Sequence, residues 1–477
     1  MVKWFHSKTN KIMKIYKILI AILLVTSTIT AQKYSVEISY VSLDKGEASP
    51  IKKYETNINP KQKVHQKDFI VLVPEVEFQT IEGIGGAFNE NGGEALFSLS
   101  KRKQKEVIKN LFNPKNANFV FNRTPIGASD FSLDSYSYSM VPEDYEMKHF
   151  SIKRDKKHLL PFIKAALKEN KSMLMQASPW SPPAWMKYSN SIDKNNIDKE
   201  KSRLKETPEI YKAYATYLVK YIEAYKNEGV EIDRFCVQNE PDTYAPFPGC
   251  NMTIEQLQEL SLNYIIPAFK KKNLNTGIWA GTFRTINRGD HYKILNPETI
   301  SKFDGIGFQY ANEPFMREVS LLAPNMKIMN TETKCYNGDN STKQAKERLS
   351  EIANYINAGS TNYCYWNIIL NETSRSAWGW KQNSLMVINR ENGEVHYTPD
   401  YNAMYLASNA VIKGDKRIAH ISKHRIVTTK NSNNDIKVLI QNDKPTNRFV
   451  RLMIDNEEIN VELPKDALCS LTLKLNN

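Results

Sequence analysis

Two glutamates follow short apolar segments that are typical of buried β-strands. Glu240 follows residues 235–238, and Glu332 follows residues 326–331. Pro241 restricts the residue before it, so we expect Glu240 to lie in extended backbone at the tip of its strand. Two carboxyl groups that converge in one cleft can hydrolyse an acetal, because one protonates the leaving oxygen while the other attacks the anomeric carbon.

The ends of the other predicted strands carry further candidate side chains. These are carboxylates, amides and aromatic rings rather than histidines: Asp130, Trp180, Asn239, Tyr310 and Trp366. Trp378 and Trp380 fall in a glycine-containing loop that could line the outer part of a sugar-binding cleft. A second Asn-Glu-Pro tripeptide makes Glu313 an alternative catalytic glutamate, although we expect it to lie further out on a loop.

Strand-like and helix-like segments alternate between about residues 80 and 400. Thr207 and Pro208 mark the start of one helix, whose apolar residues recur at helical spacing on one face. The alternation predicts an α/β fold of the (β/α)₈ barrel type, with the active site at the C-terminal ends of the strands. A doubly wound sheet is the alternative. Eight strands are expected near residues 81–88, 119–127, 173–177, 235–238, 277–281, 305–310, 328–331 and 363–368.

Both ends of the chain differ from this central part in their pattern of apolar and polar residues. Residues 32–77 and 401–477 contain short alternating strands separated by polar turns, so we expect them to form one side β-sandwich. Residues 1–31 combine lysines, an apolar run and small residues in the layout of a signal peptide. We therefore expect export to the periplasm, cell surface or exterior, and a catalytic barrel at residues 78–400.

Composition argues against several classes of protein. The formal charge is +13, and removing the five lysines before the predicted cleavage site leaves +8 (13 − 5). The lysines are scattered among acids, so we expect no nucleic-acid partner. The apolar run of the signal peptide is too short to span a membrane, and we expect no integral membrane segment. We expect a monomer.

Neither metal nor cofactor chemistry has a sequence signature. There is no Cys/His spacing of a zinc site, no HExxH and no phosphate-binding glycine loop, so we expect no cofactor. Among the five cysteines, Cys236 and Cys364 fall in predicted strands. One pair among Cys250, Cys335 and Cys469 could form a disulfide.

Six segments, taken in order, resemble glycoside hydrolase family 30. They are Glu-Gly-Ile-Gly-Gly-Ala-Phe at 82–88, Arg-Thr-Pro-Ile-Gly-Ala-Ser-Asp-Phe-Ser at 123–132, Ala-Ser-Pro-Trp-Ser-Pro-Pro-Ala-Trp-Met-Lys at 177–187, Val-Gln-Asn-Glu-Pro at 237–241, Thr-Glu at 331–332 and Tyr-Trp-Asn at 365–367. The resemblance runs from about residue 78 to the end of the chain. It implies a retaining β-glycosidase with a (β/α)₈ barrel and a side β-sandwich.

The resemblance also implies roles for individual residues. Glu240 would be the acid/base and Glu332 the nucleophile. The subsite for the cleaved sugar would be shaped by Arg123, Asp130, Trp180, Asn239, Tyr310 and Trp366. The family includes glucosylceramidases, β-1,6-glucanases and xylan-active enzymes.

Two segments bear on the choice among these substrates. Residues 308–310 are Phe-Gln-Tyr, where the glucosylceramidase branch has His-Trp before the tyrosine. The loop at 376–384 is more similar to the β-1,6-glucanase branch. We therefore expect activity on a β-glucan through β-1,6 linkages, with a glucosylceramidase-type or xylan-active enzyme as the alternative. A sugar-binding protein without catalysis is the alternative from another class.

Overall fold

The structure is a computed structural model, and it describes residues 33–43, 51–55, 63–193, 201–243, 246–284, 293–310 and 313–476. The predicted signal peptide at residues 1–31 lies outside this part of the chain. None of the helices in the described part has both the length and the apolar run that crossing a membrane requires.

The described chain contains strands at both ends and in its centre. They are β1 (Tyr34–Ser42), β2 (Lys52–Glu55), β3 (Phe69–Thr80), β4 (Gly83–Gly86), β5 (Phe121–Ile126), β6 (Leu174–Pro179), β7 (Arg234–Cys236), β8 (Gly277–Phe283), β9 (Gly305–Gln309), β10 (Lys327–Glu332), β11 (Asn362–Tyr365), β12 (Ile369–Asn371), β13 (Met386–Ile388), β14 (Val395–Tyr397), β15 (Lys416–Ser422), β16 (Val427–Lys430), β17 (Ile436–Asn442), β18 (Arg448–Ile454), β19 (Glu457–Leu463) and β20 (Ala467–Leu475).

The α-helices lie mainly between the central strands. They are α1 (Glu90–Ser98), α2 (Lys101–Phe112), α3 (Leu159–Glu169), α4 (Pro208–Asn227), α5 (Ile254–Leu260), α6 (Ile266–Lys271), α7 (Pro297–Ile300), α8 (Glu313–Leu322), α9 (Thr342–Asn357) and α10 (Pro399–Ala410). As the sequence predicts, the Thr207 hydroxyl caps α4 by accepting a hydrogen bond from the backbone N–H of Ile210.

Strands β4 to β11 close into a parallel barrel. Strands β5 to β10 form a six-stranded sheet in chain order, and β4 pairs with β11. Backbone bridges between Ala87 and Arg123 and between Ile328 and Ser360 join these two sheets. Each of the eight strands falls where the sequence predicts one, so the (β/α)₈ prediction is confirmed and a doubly wound sheet is excluded.

The glycines of β4 have a packing role. A Cβ atom at Gly85 would collide with the backbone carbonyl of Phe121 on the neighbouring strand β5. Only glycine therefore allows these two strands to approach as closely as they do. This explains the Gly-rich segment at 83–86 without any nucleotide site.

The side domain combines strands from both ends of the chain, as predicted. Its nine strands are hydrogen-bonded in the order β19-β18-β3-β15-β16-β17-β20-β1-β2. The sheet curls so that the start of β1 approaches the turn between β18 and β19. Two hydrogen bonds show this approach: the Tyr34 hydroxyl donates to Asp455 (2.7 Å), and the Lys33 backbone N–H donates to Glu457 (2.6 Å). One continuous sheet thus encloses the aliphatic core that the sequence assigns to a sandwich.

Helix α10 connects the two domains. It crosses the boundary predicted at residue 400 and contacts β4 of the barrel as well as β1, β17 and β20 of the side domain. Its residues are buried on nearly every side, which agrees with a helix that lies between two packed domains.

One expectation was wrong, and one question that the sequence left open is answered. Glu313 lies at the start of α8, where it pairs with Arg317 one turn later, and not on a loop. Pro314 fits there because the first helical turn needs no amide hydrogen from it. No disulfide joins Cys250, Cys335 and Cys469, since all five cysteines are free and buried within the described residues.

Candidate active site

The C-terminal ends of the barrel strands surround an open cleft of about 620 Å³. Both glutamates, which follow or end different strands, face this cleft, although each is about 95% buried. Six of the residues predicted from the sequence line it: Asp130, Trp180, Asn239, Glu240, Tyr310 and Glu332.

Arg123, at the centre of β5, holds the floor of the cleft together. Its guanidinium is fully buried and donates to the Glu332 carboxylate at 2.7 Å and to the Asn239 side-chain oxygen at 2.6 Å. It also donates to the Ser178 hydroxyl at 2.7 Å. A planar group with five N–H donors can join several acceptors in this way, whereas a lysine cannot.

Glu332, the last residue of β10, is held at both carboxylate oxygens. Arg123 donates to Oε2, and the Tyr310 hydroxyl donates to Oε1 at 2.7 Å. Burial raises the pKa of Glu332, the Arg123 charge lowers it and the nearby Glu240 raises it, and the net result is a pKa of about 7. A carboxylate held in this way is oriented to attack an atom placed in the cleft.

Glu240 differs from the expectation in its backbone. Its φ is +43°, so it adopts the left-handed conformation and not the extended one that Pro241 was expected to impose. The backbone N–H of Glu240 donates to Thr282 of β8 at 3.0 Å, and that of Asn239 donates to Pro179 of β6 at 2.8 Å. These bonds to both neighbouring strands override the local preference, as happens at functional sites.

The side chain of Glu240 contacts two donors from neighbouring strands. The amide of Gln309, the last residue of β9, donates to Glu240 Oε1. The guanidinium of Arg284, which follows β8, lies 3.9 Å from the same oxygen. Both contacts depend on residues distant in the chain, and sequence reasoning missed them.

The orientation of the Asn239 amide follows from its partners. Its oxygen accepts from Arg123 and lies 3.1 Å from the Thr282 hydroxyl. Because arginine can only donate, the oxygen of Asn239 must face Arg123. The amide NH₂ of Asn239 is therefore directed away from Arg123, at a position where Asn239 lines the cleft.

Asp130 and two tryptophans form the opposite part of the floor. Trp180 lines the cleft, and Trp366 lies behind it with the rings stacked at 5.3 Å. Trp366 is fully buried and does not line the cleft. Burial, followed by the Glu332 and Glu240 charges, raises the pKa of Asp130 well above its usual range, while the Trp366 indole N–H lowers it. Burial and the two neighbouring carboxyl groups thus favour the protonated form of Asp130.

The loop at residues 376–384 carries both tryptophans that were candidates for the cleft, Trp378 and Trp380, and only one of them lines it. Trp378 donates its indole N–H to Asp193 at 3.2 Å and is not among the residues that line the cleft. Trp380 does line the cleft, with its ring 5.2 Å from that of Phe247. On another part of the lining, Tyr310 and Tyr336 are stacked at 5.9 Å. The outer cleft thus contains two aromatic pairs.

Metal binding has no support in the described residues. They contain no group of three or more histidine, cysteine, aspartate or glutamate side chains that could hold an ion. The groups that line or underlie the cleft are carboxyl groups, amides, aromatic rings, the guanidinium groups of Arg123 and Arg284, and the ammonium groups of Lys334 and Lys381.

The comparisons with known proteins agree with this geometry. Residues 81–278 match the model of the glycosyl hydrolase family 30 TIM-barrel domain. The chain is 28% identical to "Putative glucosylceramidase 3" of Caenorhabditis elegans over 72% of this chain and 68% of that protein. It is 34% identical to the endo-1,6-beta-D-glucanase BGN16.3 of Trichoderma harzianum over 42% of this chain and 43% of that protein. The chain thus spans about two thirds or less of the length of these relatives.

Solved structures have the same fold. SrfJ from Salmonella typhimurium has a TM-score of 0.84 at 21% identity, covering 93% of this chain and all of that one. The endo-beta1,6-glucanase BT3312 has a TM-score of 0.80 at 22% identity, covering 92% of this chain and 99% of that one. Together with the domain match, the family relatives and the two buried glutamates in one cleft, these likenesses lead to one conclusion. The segment at residues 81–278 belongs to the TIM-barrel domain of glycosyl hydrolase family 30, a family of glycosidases.

Proposed function

We propose that the chain is a retaining β-glycosidase in which Glu332 is the nucleophile and Glu240 is the acid/base. The observation that carries this proposal is that both carboxyl groups face one cleft and have separate hydrogen-bond donors. Glu332 is paired with a guanidinium, as a group that must act as a carboxylate requires. Glu240 accepts a hydrogen bond from the neutral amide of Gln309, and the guanidinium nearest to it, that of Arg284, lies further away at 3.9 Å.

The reaction proceeds in two steps. In the first, a Glu332 oxygen forms a bond to the anomeric carbon while the bond from that carbon to the leaving oxygen breaks, and Glu240 gives its proton to that oxygen. In the second, water gives a proton to Glu240 and its oxygen bonds to the anomeric carbon. The ester bond to Glu332 then breaks, and both carboxyl groups return to their starting states.

Other cleft residues bind and orient the sugar. Asn239, whose oxygen is occupied by Arg123, donates its NH₂ to the 2-hydroxyl of the sugar, a bond that strengthens in the transition state. Asp130 forms a hydrogen bond with another hydroxyl of the sugar. Trp180 presents a ring to the apolar face of the sugar, and Trp366 supports that ring from behind.

For the substrate we propose a β-1,6-glucan. Besides the two glutamates, the cleft is lined by the aromatic pairs Phe247–Trp380 and Tyr310–Tyr336, which offer surfaces for more than one sugar unit. Support also comes from the relative of Trichoderma harzianum and from BT3312, both named as endo-1,6-β-glucanases. Gln309 stands where the glucosylceramidase branch has tryptophan.

A glucosylceramidase-type activity is the second candidate. Its support is that several relatives that match this chain are named glucosylceramidases, among them the lysosomal acid glucosylceramidase of Mus musculus at 29% identity. A xylan-active enzyme is a further alternative within the same mechanism. A binding protein without catalysis is the alternative outside it.

Product analysis on β-1,6-glucan, β-1,3-glucan, xylan and glucosylceramide, measured side by side, tests the substrate. Activity confined to xylan or glucosylceramide would overturn the β-1,6-glucan proposal and leave the mechanism intact. Proton NMR of the first sugar released tests the mechanism, because a retaining enzyme releases the β-anomer before mutarotation. Initial release of the α-anomer, or no turnover on any β-glycan, would overturn it.

We also propose that the protein is exported, on the basis of the lysine-rich and apolar sequence at residues 1–31. N-terminal sequencing of protein from the native cell tests this. The expected mature chain begins at Gln32, and a chain that retains residues 1–31 in the cytoplasm would contradict the proposal.

A further inference from the structure

Two consecutive residues at the end of β9 each bind one of the two glutamates. Gln309 donates to Glu240, and Tyr310 donates to Glu332 at 2.7 Å. Consecutive side chains of a regular strand point to opposite faces. Tyr310 has φ +50°, and this left-handed turn interrupts the alternation, so that both side chains reach the glutamates.

The amide of Gln309 is held in one orientation. The residue is fully buried, and its side-chain oxygen lies 3.1 Å from the Thr282 hydroxyl. That hydroxyl also lies 3.1 Å from the Asn239 oxygen, which already accepts from Arg123. When the Thr282 hydroxyl donates to Gln309, the amide NH₂ of Gln309 must face Glu240.

Thr282 also fixes the backbone of Glu240. The carbonyl oxygen of Thr282 accepts from the N–H of Glu240 at 3.0 Å, and its own N–H donates to Gln238 at 2.8 Å. Strand β8 therefore supports both the backbone of Glu240 and the side chain that binds its carboxyl group. Gln309 and Glu240 cannot move independently of this strand.

We propose that Gln309 is a positioning residue for the acid/base Glu240, an inference that rests on the function proposed above. Its N–H binds Oε1, and Arg284 lies nearest to the same oxygen. The proton that Glu240 transfers is accordingly carried by Oε2. After the transfer, the N–H of Gln309 stabilises the carboxylate that remains.

This role has a consequence that a purely structural role lacks. Proton transfer to the leaving group matters for a poor leaving group and hardly at all for a good one, which departs as an anion. Loss of a correctly positioned acid therefore lowers kcat/KM selectively for poor leaving groups. General damage to the cleft lowers kcat/KM for all substrates by a similar factor.

The test compares Gln309→Met, which keeps the side-chain length and removes the donor, with wild type on aryl β-glucosides and aryl β-gentiobiosides. For the phenyl glycoside we expect kcat/KM to fall about 10- to 100-fold, since general acid catalysis contributes about 10²- to 10⁴-fold. For the 2,4-dinitrophenyl glycoside we expect a fall of less than about threefold. The matched control is Tyr310→Phe, which removes a donor from Glu332 and should lower both values by a similar factor.

A second variant keeps the test valid if Gln309→Met does not fold, as judged by circular dichroism. Thr282→Val keeps the backbone bonds to Glu240 and frees the Gln309 amide to rotate, so it should show a smaller effect with the same leaving-group dependence. Equal losses for both leaving groups, or no loss, would overturn the role of Gln309 while the glycosidase proposal stands. Failure of wild type to cleave any of these glycosides would instead overturn the proposed function, and with it this inference.

Discussion

The rim of the barrel and the core of the side domain are buried to a similar degree by different means. At the rim, Arg123, Glu240 and Glu332 are ionisable groups whose positions depend on hydrogen bonds. In the side domain, Leu452 and its neighbours are aliphatic side chains whose positions depend on packing. Buried charges cost free energy unless they are paired, whereas buried apolar surface stabilises the fold. The rim therefore contains groups whose burial lowers the stability of the fold and which are explained by their function.

Replacing Glu332 with glutamine should have the largest effect. The variant keeps the size of the side chain and loses the nucleophile, so we expect kcat on the glycan to fall by at least about 10⁴-fold. Binding of the glycan, measured by calorimetry, should persist. Glu313→Gln on α8 is the matched control and should retain activity within about twofold. Substantial turnover by Glu332→Gln would exclude this residue as the nucleophile.

Replacing Arg123 with methionine should weaken both activity and stability. Removing one partner of a buried ion pair leaves the other charge uncompensated, which costs about 3–5 kcal/mol of the free energy of unfolding. We expect this loss in urea denaturation, together with a fall of about 100-fold or more in kcat/KM. In the exposed Arg317–Glu313 pair, the change Arg317→Met should cost less than about 1 kcal/mol. Equal losses in the free energy of unfolding at the two sites would show that the buried pair at the rim stabilises the fold no more than the exposed pair does.

A substitution in the side domain should separate stability from activity. Leu452 is fully buried in the sheet core, and Leu452→Ala should reduce the free energy of unfolding by about 2–5 kcal/mol. Because this core does not contribute to the cleft, kcat at a temperature where the variant is folded should stay within about twofold of wild type. A large loss of kcat in folded protein would show that the side domain acts on the rim.

The pH dependence should show the cost of burying a carboxylate. Burial raises the pKa of Glu332 from its usual value to about 7, and only the ionised form can attack. As pH falls below about 7, the ionised fraction falls, so kcat/KM should decrease by about tenfold per pH unit. Because the Arg123 charge lowers this pKa, Arg123→Met should move the decline to higher pH. An acid limb near pH 4 in the wild type would contradict this account.

The barrel strands and the side domain could be predicted because their patterns are local. The apolar segment before Glu240 and the alternation in β17 report burial residue by residue. Helix α8 was missed because Asn-Glu-Pro at 312–314 is also typical of a loop. The five cysteines could not be assigned, since pairing depends on distances that spacing does not report.

The parts of the site that could be predicted are those in which the type of a single residue and its place at a strand end indicate the chemistry. Glu240 and Glu332 stood out by their positions at strand ends. The left-handed backbone of Glu240 and the role of Gln309 arise from bonds to β8, which are set by tertiary structure and not by neighbours in the chain. Trp378 and Trp366 were expected to face the sugar, but neither lines the cleft. The sequence does not report the direction of a side chain in a loop, and it does not report that one ring lies behind another.

Strand β1 and strand β20 are partners along their whole length, from Tyr34 opposite Leu475 to Ser42 opposite Ala467. During synthesis, β1 leaves the ribosome long before its partner β20 has been made. The N-terminal strands of this sheet therefore stay unpaired while the intervening residues are produced. Completing the sheet is consequently a late step in the folding of this chain.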